Sequence, residues 1–107
     1  MAYRYKLTTA AEIAERVLYW IDNEMYYKHF DVTLDNSTED PCGWWRLGLM
    51  EIADGKYLTF AYYGGGALYT IPLELIMSED DIKEWLMSIN KDEDGDGEHF
   101  VIEIKEE

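Results

Sequence analysis

The sequence predicts an α+β fold, in which two helices pack on a twisted, mostly antiparallel β-sheet of four to six strands. Two stretches combine a capping pair with an apolar stripe at helical spacing, and several short stretches alternate apolar and polar residues between turn signals. A chain of 107 residues that is 48% hydrophobic fits one domain with one core. Residues 1–107 are therefore expected to form a single domain with the element order (β)-α-β-β-β-β-α-β.

The first helix is predicted from a capping pair and the stripe behind it. Thr9 and Glu12 have the spacing of a capping box, in which each side chain binds a free backbone N–H of the first turn. Lys28 and His29 are expected to close the helix at its negative dipole end. The apolar stripe consists of Ile13, Ala14, Val17, Ile21 and Met25.

A β-hairpin is predicted in the middle of the chain. Asp54-Gly55 is a strong two-residue turn signal between two strands, Trp44 to Ala53 and Lys56 to Tyr63. Alternation and neighbouring turn residues predict further strands at residues 3–7, 30–34, 67–73 and 100–104.

The hairpin divides its residues between two faces. One is a plain core face with Trp45, Leu47, Leu49, Leu58, Phe60 and Tyr62. The other is aromatic and amphipathic, with Trp44, Arg46, Met50, Ile52, Tyr57, Thr59 and Tyr63. This second face is either covered by a helix or used for contact, and in the latter case Trp44, Tyr57 and Tyr63 are candidate partner-binding residues.

The second helix begins where the chain becomes strongly acidic. Ser78 and Asp81 have the spacing of a capping pair, and the stripe behind them is Ile82, Trp85, Leu86 and Ile89. The net charge is −14, of which residues 74–107 carry −10. Such a field repels nucleic acid and anionic membranes and attracts basic surfaces. The expected partner is therefore a protein with a basic surface, and direct binding to nucleic acid or membrane is disfavoured.

Acidic residues cluster in the first turns of this helix and in the loop that follows it. The helix dipole alone favours acids in a first turn, so a solvated face is one interpretation. The functional interpretation is a surface that imitates DNA phosphates, which occur once per about 1.7 Å of duplex axis. The candidate partner-binding acids are Glu79, Asp80, Asp81, Glu84, Asp92, Glu93, Asp94, Asp96 and Glu98. The composition leaves open whether the loop over residues 90–98 is ordered or mobile.

Residues 92–103 resemble the calcium loop of EF-hand proteins. They fit the pattern D-x-D-x-D-G-x5-E, whose carboxylates supply the oxygens that Ca²⁺ needs. The resemblance implies a calcium site with the ligands Asp92, Asp94, Asp96, Glu98 and Glu103. The sequence departs from the family because His99 replaces the aliphatic anchor, only four residues follow Glu103, and the apolar residue Ile89 lies three positions before the loop. A solvated acidic connection is the alternative.

Catalysis is not indicated, and no cofactor other than calcium is expected. Cys42 with His29 or His99 would make a nucleophile–base pair, but nothing in the sequence places them together. Gly64-Gly65-Gly66 lacks the Lys and Ser/Thr of a phosphate loop. A single Cys, no signal-peptide pattern and no long apolar run predict a cytoplasmic protein. The oligomeric state stays open.

The sequence thus predicts a non-enzymatic, acidic inhibitor that blocks a basic nucleic-acid-binding surface on another protein. In its small size, acidity and aromatic content the chain resembles the phage and mobile-element inhibitors of restriction and CRISPR nucleases. That resemblance implies a DNA-mimic role of the anti-CRISPR or anti-restriction kind, with a nuclease as partner. Three alternatives remain: an immunity protein for a basic nuclease toxin, a calcium-binding module, and a small structural or accessory interaction subunit.

Overall fold

The order of helices and strands matches the sequence prediction. The computed structural model describes residues 3–105, so Glu106 and Glu107 of the acidic stretch lie outside the described residues. Its elements are β1 (Tyr3–Thr9), α1 (Ala10–Asp22), β2 (His29–Thr33), β3 (Trp44–Ile52), β4 (Gly55–Tyr62), β5 (Leu68–Pro72), a 3-10 helix (Leu73–Leu75), α2 (Glu79–Asp92) and β6 (His99–Lys105). The α+β class and the order β-α-β-β-β-β-α-β are confirmed.

The six strands form one sheet in the order β1-β6-β2-β3-β4-β5. Every neighbouring pair is antiparallel. Strands β2 to β5 follow one another as hairpins, whereas α1 and α2 carry the chain between non-adjacent strands. As a result β6 lies between β1 and β2, and β1 and β5 are the edges of the sheet within the described residues.

Both helices pack on one face of the sheet and against each other. We name this the covered face. Its side chains meet those of the helices in a single core, in which Trp45 stacks on Phe60 with ring centres 4.7 Å apart. Each large apolar side chain removed from water in this way stabilises the fold by about 1.5–3 kcal/mol. The sequence prediction of a plain core face is confirmed for Trp45, Leu47, Leu49, Leu58 and Phe60, whereas Tyr62, at the end of β4, is 37% exposed.

The two predicted helix starts are confirmed by their caps. The Thr9 hydroxyl accepts a hydrogen bond from the Glu12 N–H at 3.2 Å, and the Ser78 hydroxyl accepts one from the Asp81 N–H at 3.2 Å. Each bond satisfies one of the N–H groups that a first helical turn leaves without a partner.

The predicted end of the first helix is wrong. α1 ends at Asp22, six residues before Lys28, and His29 is the first residue of β2. Glu24 and Tyr27 adopt left-handed φ angles of 52° and 75°, which a right-handed helix cannot contain. The chain therefore turns after Asp22 instead of forming the two further helical turns.

The central hairpin turns one residue earlier than predicted. Ile52 pairs with Gly55, which places Ala53 and Asp54 in the turn. Gly55 has a φ of 151°, which a residue with a Cβ rarely adopts. The register moves by two residues, and because side chains alternate with period two, both predicted faces are preserved. The strand predicted at residues 67–73 is shorter in the structure, at Leu68–Pro72.

Candidate protein-binding surfaces

The face of the sheet opposite the helices is the first candidate surface, and we name it the open face. Met50 is 40% exposed, Ile52 50% and Leu68 65%. These exposures show that no described helix covers this side of the hairpin. Of the predicted aromatic contacts, Tyr63 is exposed, and Trp44 and Tyr57 are half-buried. The alternative of a helix-covered face is thereby wrong.

An apolar groove of 430 Å³ lies on the open face across β3, β4 and β5. Its wall on β3 includes Met50 and Ile52, and its wall on β5 includes Leu68 and Thr70. Arg46 is the one charged side chain among the residues that line it. The groove is therefore mostly apolar with a single positive charge, in contrast to the strongly negative chain.

Arg46 is oriented by two neighbours on the open face. The Tyr63 hydroxyl donates to Asp31 Oδ1 at 2.6 Å, and Arg46 Nε donates to the Tyr63 hydroxyl at 3.0 Å. Burial, followed by the hydrogen bond to Asp31, raises the pKa of Tyr63. The hydroxyl therefore stays protonated at neutral pH and keeps the three side chains connected.

The second candidate surface lies beside the end of α2, where β2 ends and β6 begins. Two loops converge there, and the Asn36 side chain links them by donating to Asp96 Oδ2 at 3.2 Å. We name the carboxylates of these loops, including the last residue of α2, the acidic end: Asp35, Glu39, Asp40, Asp92, Glu93, Asp94, Asp96 and Glu98.

Three members of the acidic end were missed by the sequence analysis. These members are Asp35, Glu39 and Asp40. They lie far from the C-terminal acidic stretch along the chain, so no sequence pattern connected them with it. The sheet order brings β2 beside β6, so the loop after β2 meets the loop before β6. The structure therefore extends the acidic surface beyond the predicted segment.

The acidic loop before β6 is held in place by the buried side chain of Asn90. Asn90 Oδ1 accepts from the Gly97 N–H at 2.9 Å, and Asn90 Nδ2 donates to the His99 carbonyl at 2.9 Å. The Asn90 carbonyl also accepts from the Gly95 N–H at 2.8 Å. A Cβ on Gly95 would collide with the Asn90 carboxamide. The loop whose order the sequence left open is thus placed by the helix before it.

Asp96 serves the internal structure of this loop. Its Oδ1 accepts from the Glu98 and His99 N–H groups, both at 2.8 Å, and its Oδ2 lies 2.8 Å from His99 Nδ1. The backbone hydrogen bonds from His99 and then Glu98 hold the pKa of Asp96 well below its usual range. Asp96 is therefore ionised at neutral pH and engaged within the chain.

Two further carboxylates are gathered by a tyrosine of β5. The Tyr69 hydroxyl lies 2.6 Å from Asp92 Oδ2 and 2.5 Å from Glu93 Oε2. The hydrogen bond to Asp92, followed by the one to Glu93, raises the pKa of Tyr69. Both carboxylates thus lie beside the β5 edge of the sheet.

The structure does not assemble the predicted calcium site. Within residues 3–105, no three His, Cys, Asp or Glu side chains form a group that could hold a metal ion. Asp96 is bonded to its own loop, and Glu103 lies within β6, where it pairs with Tyr5. The glycine of the pattern, Gly97, has another role here, since its N–H donates to Asn90 Oδ1, and the neighbouring Gly95 N–H donates to the Asn90 carbonyl. The calcium hypothesis remains a prediction without a preformed site.

The predicted partner-binding residues fall in three separate places. Trp44, Tyr57 and Tyr63 lie on the open face, and the loop acids lie at the acidic end. The other acids occupy the first two turns of α2, about 12 to 20 Å from Asp92 along a helix of 14 residues. They are Glu79, Asp80, Asp81 and Glu84. Of these, Asp81 also accepts a hydrogen bond from the Met77 N–H at 3.1 Å.

The exposed Cys42 thiol is not placed beside a histidine. It lies 3.4 Å from Asp35 Oδ2, and the hydrogen bond to this carboxylate raises the pKa of Cys42. A raised pKa lowers the thiolate fraction, which disfavours nucleophilic use.

Comparison with known proteins gives no functional lead. No family model matches this chain, and searches of curated proteins and of solved structures find no significant match. Within the described residues, neither helix has the length and apolarity needed to cross a bilayer.

Proposed function

We propose that this protein is an inhibitory binding protein. Its acidic end and the acids of α2 block a basic nucleic-acid-binding surface on another protein. The observation that carries the proposal is the acidic end, in which Asn90 orders the loop before β6 and the hydrogen bond from Asn36 to Asp96 links that loop to the loop after β2. A phage or mobile-element inhibitor of a nuclease is the concrete form.

The negative charge of residues 79–98, which form α2 and the loop after it, supports mimicry of a DNA duplex. Residues 79–98 contain nine acidic and two basic residues, a net charge of −7. Five of the acids belong to α2, which spans about 20 Å, and four belong to the loop after it. A DNA duplex carries about 12 phosphates over the same length. The carboxylates number about three quarters of the phosphates, so a groove adapted to phosphates would meet negative charge at a somewhat lower density.

Order of the acidic loop supports tight binding as well. A loop already held by its own hydrogen bonds loses little conformational freedom on association, which improves affinity without new contacts. The negative field also accelerates encounter with a basic partner and makes the association rate depend on salt.

The experiment is capture of partners from bacterial lysate by the immobilised protein, with and without nuclease treatment, followed by elution in a salt gradient. We expect a nucleic-acid-binding nuclease that is released at moderate salt and whose DNA binding competes with this protein. Recovery of no such protein in the nuclease-treated lysate contradicts the proposal.

A matched pair of charge variants locates the contact. In the first variant the acidic end is neutralised by Glu39→Gln, Asp94→Asn and Glu98→Gln, and in the control α1 is neutralised by Glu12→Gln, Glu15→Gln and Asp22→Asn. The net charge changes equally in both. We expect the first variant to weaken binding about tenfold and the control to leave it nearly unchanged. Equal losses would mean that net charge alone acts and no specific acidic surface exists.

An immunity protein for a basic nuclease toxin is the second candidate. The observation in its favour is the apolar groove of 430 Å³ on the open face. Neutralising a toxin requires very tight binding, and buried apolar anchors supply more of that affinity than exposed charges do. Rescue of cells by co-expression with a cognate toxin distinguishes an immunity protein from an anti-defence inhibitor, which confers no such protection.

A further inference from the structure

The β5 edge of the sheet offers unpaired backbone groups. Tyr62 N–H donates to the Ala67 carbonyl at 3.1 Å where β4 meets β5. In an antiparallel ladder, hydrogen-bonded and non-bonded pairs alternate, so Tyr69 turns its backbone groups towards β4, and Leu68 and Thr70 turn theirs outwards. Both residues are exposed. The edge therefore presents the N–H and C=O groups of Leu68 and Thr70 to solvent.

The two edges of the sheet differ in how they are protected. Natural proteins blunt an exposed edge with charged residues. β1 carries Arg4 and Lys6, whereas β5 has the sequence Leu-Tyr-Thr-Ile-Pro without a charge. Pro72 stands at the last position, where it removes only one N–H. Along Leu68–Thr70 the β5 edge is left able to pair.

The two sides of this edge have opposite chemistry. On the open face, the apolar groove extends to Leu68 and Thr70. On the covered face, the Tyr69 hydroxyl gathers the carboxylates of Asp92 and Glu93 at 2.6 and 2.5 Å. A strand added beside β5 would lie about 4.8 Å away and alternate its side chains between these two sides.

We propose that the β5 edge binds an extended segment of the basic partner, in which aliphatic side chains alternate with Lys or Arg. The aliphatic side chains enter the groove, the cationic ones meet Asp92 and Glu93, and the backbone pairs with Leu68 and Thr70. This proposal rests on the proposed function, because it locates a second contact of the same partner. A second copy of this chain is disfavoured as the occupant, since two chains of charge −14 repel each other.

The probe is a short capped peptide of alternating valine and lysine, titrated into the full chain at low salt. The matched control peptide has glycine in place of valine and the same charge. We expect the amides of Leu68 and Thr70 to exchange rapidly in the free protein, and the valine peptide to bind more tightly than the control and to slow that exchange. Equal binding of the two peptides, no binding, or binding without protection of these amides overturns the proposal.

A substitution at Thr70 tests the backbone contact separately. Thr70→Pro removes the outward N–H without breaking the ladder to β4, and proline is tolerated on edge strands. Thr70→Val keeps the N–H and serves as the control. We expect Thr70→Pro to weaken the peptide about tenfold and Thr70→Val to leave it nearly unchanged. Equal affinities for both variants overturn the proposal, and the exchange measurement decides it independently if the proline variant is unfolded.

The failure of this proposal is distinguishable from failure of the proposed function. If a captured partner depends on the acidic end but binds Thr70→Pro as tightly as the unaltered chain, the edge proposal fails and the inhibitory function stands. If no basic partner is captured, the inhibitory function fails, and the peptide titration still decides whether the β5 edge pairs with such a segment.

Discussion

The covered face and the open face follow the same alternation but have different environments. Leu58 on the covered face is fully buried, whereas Leu68 on the open face of the neighbouring strand is 65% exposed. Both faces are rich in apolar and aromatic residues, so composition does not distinguish them. They differ because the helices pack on only one of them. An apolar side chain stabilises the fold where it is removed from water and remains available to a partner where it is not.

The groove on the open face and the acidic end also differ in charge. The groove on the open face contains one charged side chain, Arg46, whereas the acidic end gathers eight carboxylates. The acidic end is suited to fast, salt-dependent encounter with a partner, and the open face is suited to contacts whose strength depends on buried area. One place where a partner would reach both is the β5 edge, where Leu68 lines the groove and the Tyr69 hydroxyl contacts Asp92 and Glu93.

The largest expected effect comes from truncating the same residue type on the two faces. Leu58→Ala leaves a cavity in the core and should lower the free energy of unfolding by about 3 kcal/mol. Leu68→Ala should lower it by less than about 0.5 kcal/mol, because that side chain is already in water. Urea denaturation of the two variants measures both values. Similar losses would mean that the open face is covered in solution.

The next largest effect concerns Asn90, which holds the acidic loop before β6 in place. Asn90→Leu leaves the Gly97 N–H and the His99 carbonyl without their partner, which should cost about 2 kcal/mol and speed amide exchange at Gly97. Asn36→Ala, at an exposed position of the same end, is the control and should cost under about 0.5 kcal/mol. Unchanged exchange in Asn90→Leu would show that the loop is ordered by other contacts.

A smaller effect depends on pH through Asp96. Its folded-state pKa is lowered, so its carboxylate stabilises the fold above the unfolded pKa of about 3.9, and this contribution is lost as the pH falls further. The side chain is 40% exposed, and solvent screening should limit the contribution to about 1 kcal/mol. Asp96→Asn should therefore be less stable than the unaltered chain at pH 7, with the difference shrinking below about pH 4. If the stability difference between the two proteins stayed constant across this pH range, it would arise from packing and not from the charge of Asp96.

The smallest expected effect is on the open face itself. Tyr63→Phe removes the hydroxyl that connects Asp31 and Arg46 and should cost about 0.5–1 kcal/mol. Tyr62→Phe is the matched control, because the Tyr62 hydroxyl forms no hydrogen bond within residues 3–105. Thermal unfolding of both variants gives the comparison. Equal stabilities would mean that Arg46 keeps its orientation without Tyr63.

Much of the fold could be predicted from local chemistry. The caps at Thr9 and Ser78 depend on residues three positions apart, and the two faces of the hairpin depend on alternation alone. The end of α1 could not be predicted, because the left-handed turn at Glu24 and Tyr27 is made where the chain joins β3, through the Tyr27 N–H and the Leu49 carbonyl at 2.7 Å. Local patterns describe local structure, and this turn depends on a distant strand.

The candidate surfaces were predicted in part. The acids of the second helix and its following loop were identified from sequence, but their separation by the length of α2 was not. In the pattern that resembles a calcium loop, the N–H of the specified glycine, Gly97, donates to Asn90. A motif specifies residue types at a spacing, whereas a site requires side chains that converge, and in this loop Asp96 turns back to its own backbone.

The sequence by itself determined the fold class, the element order, the two faces of the hairpin and the excess of negative charge, because each follows from propensity, periodicity or composition. Tertiary structure alone decided which sheet face the helices cover, where β6 inserts, and that Asp35, Glu39 and Asp40 join the acidic end. These features depend on contacts between residues far apart in the chain. Local pattern does not encode such contacts, and they form only when the packed core makes them favourable.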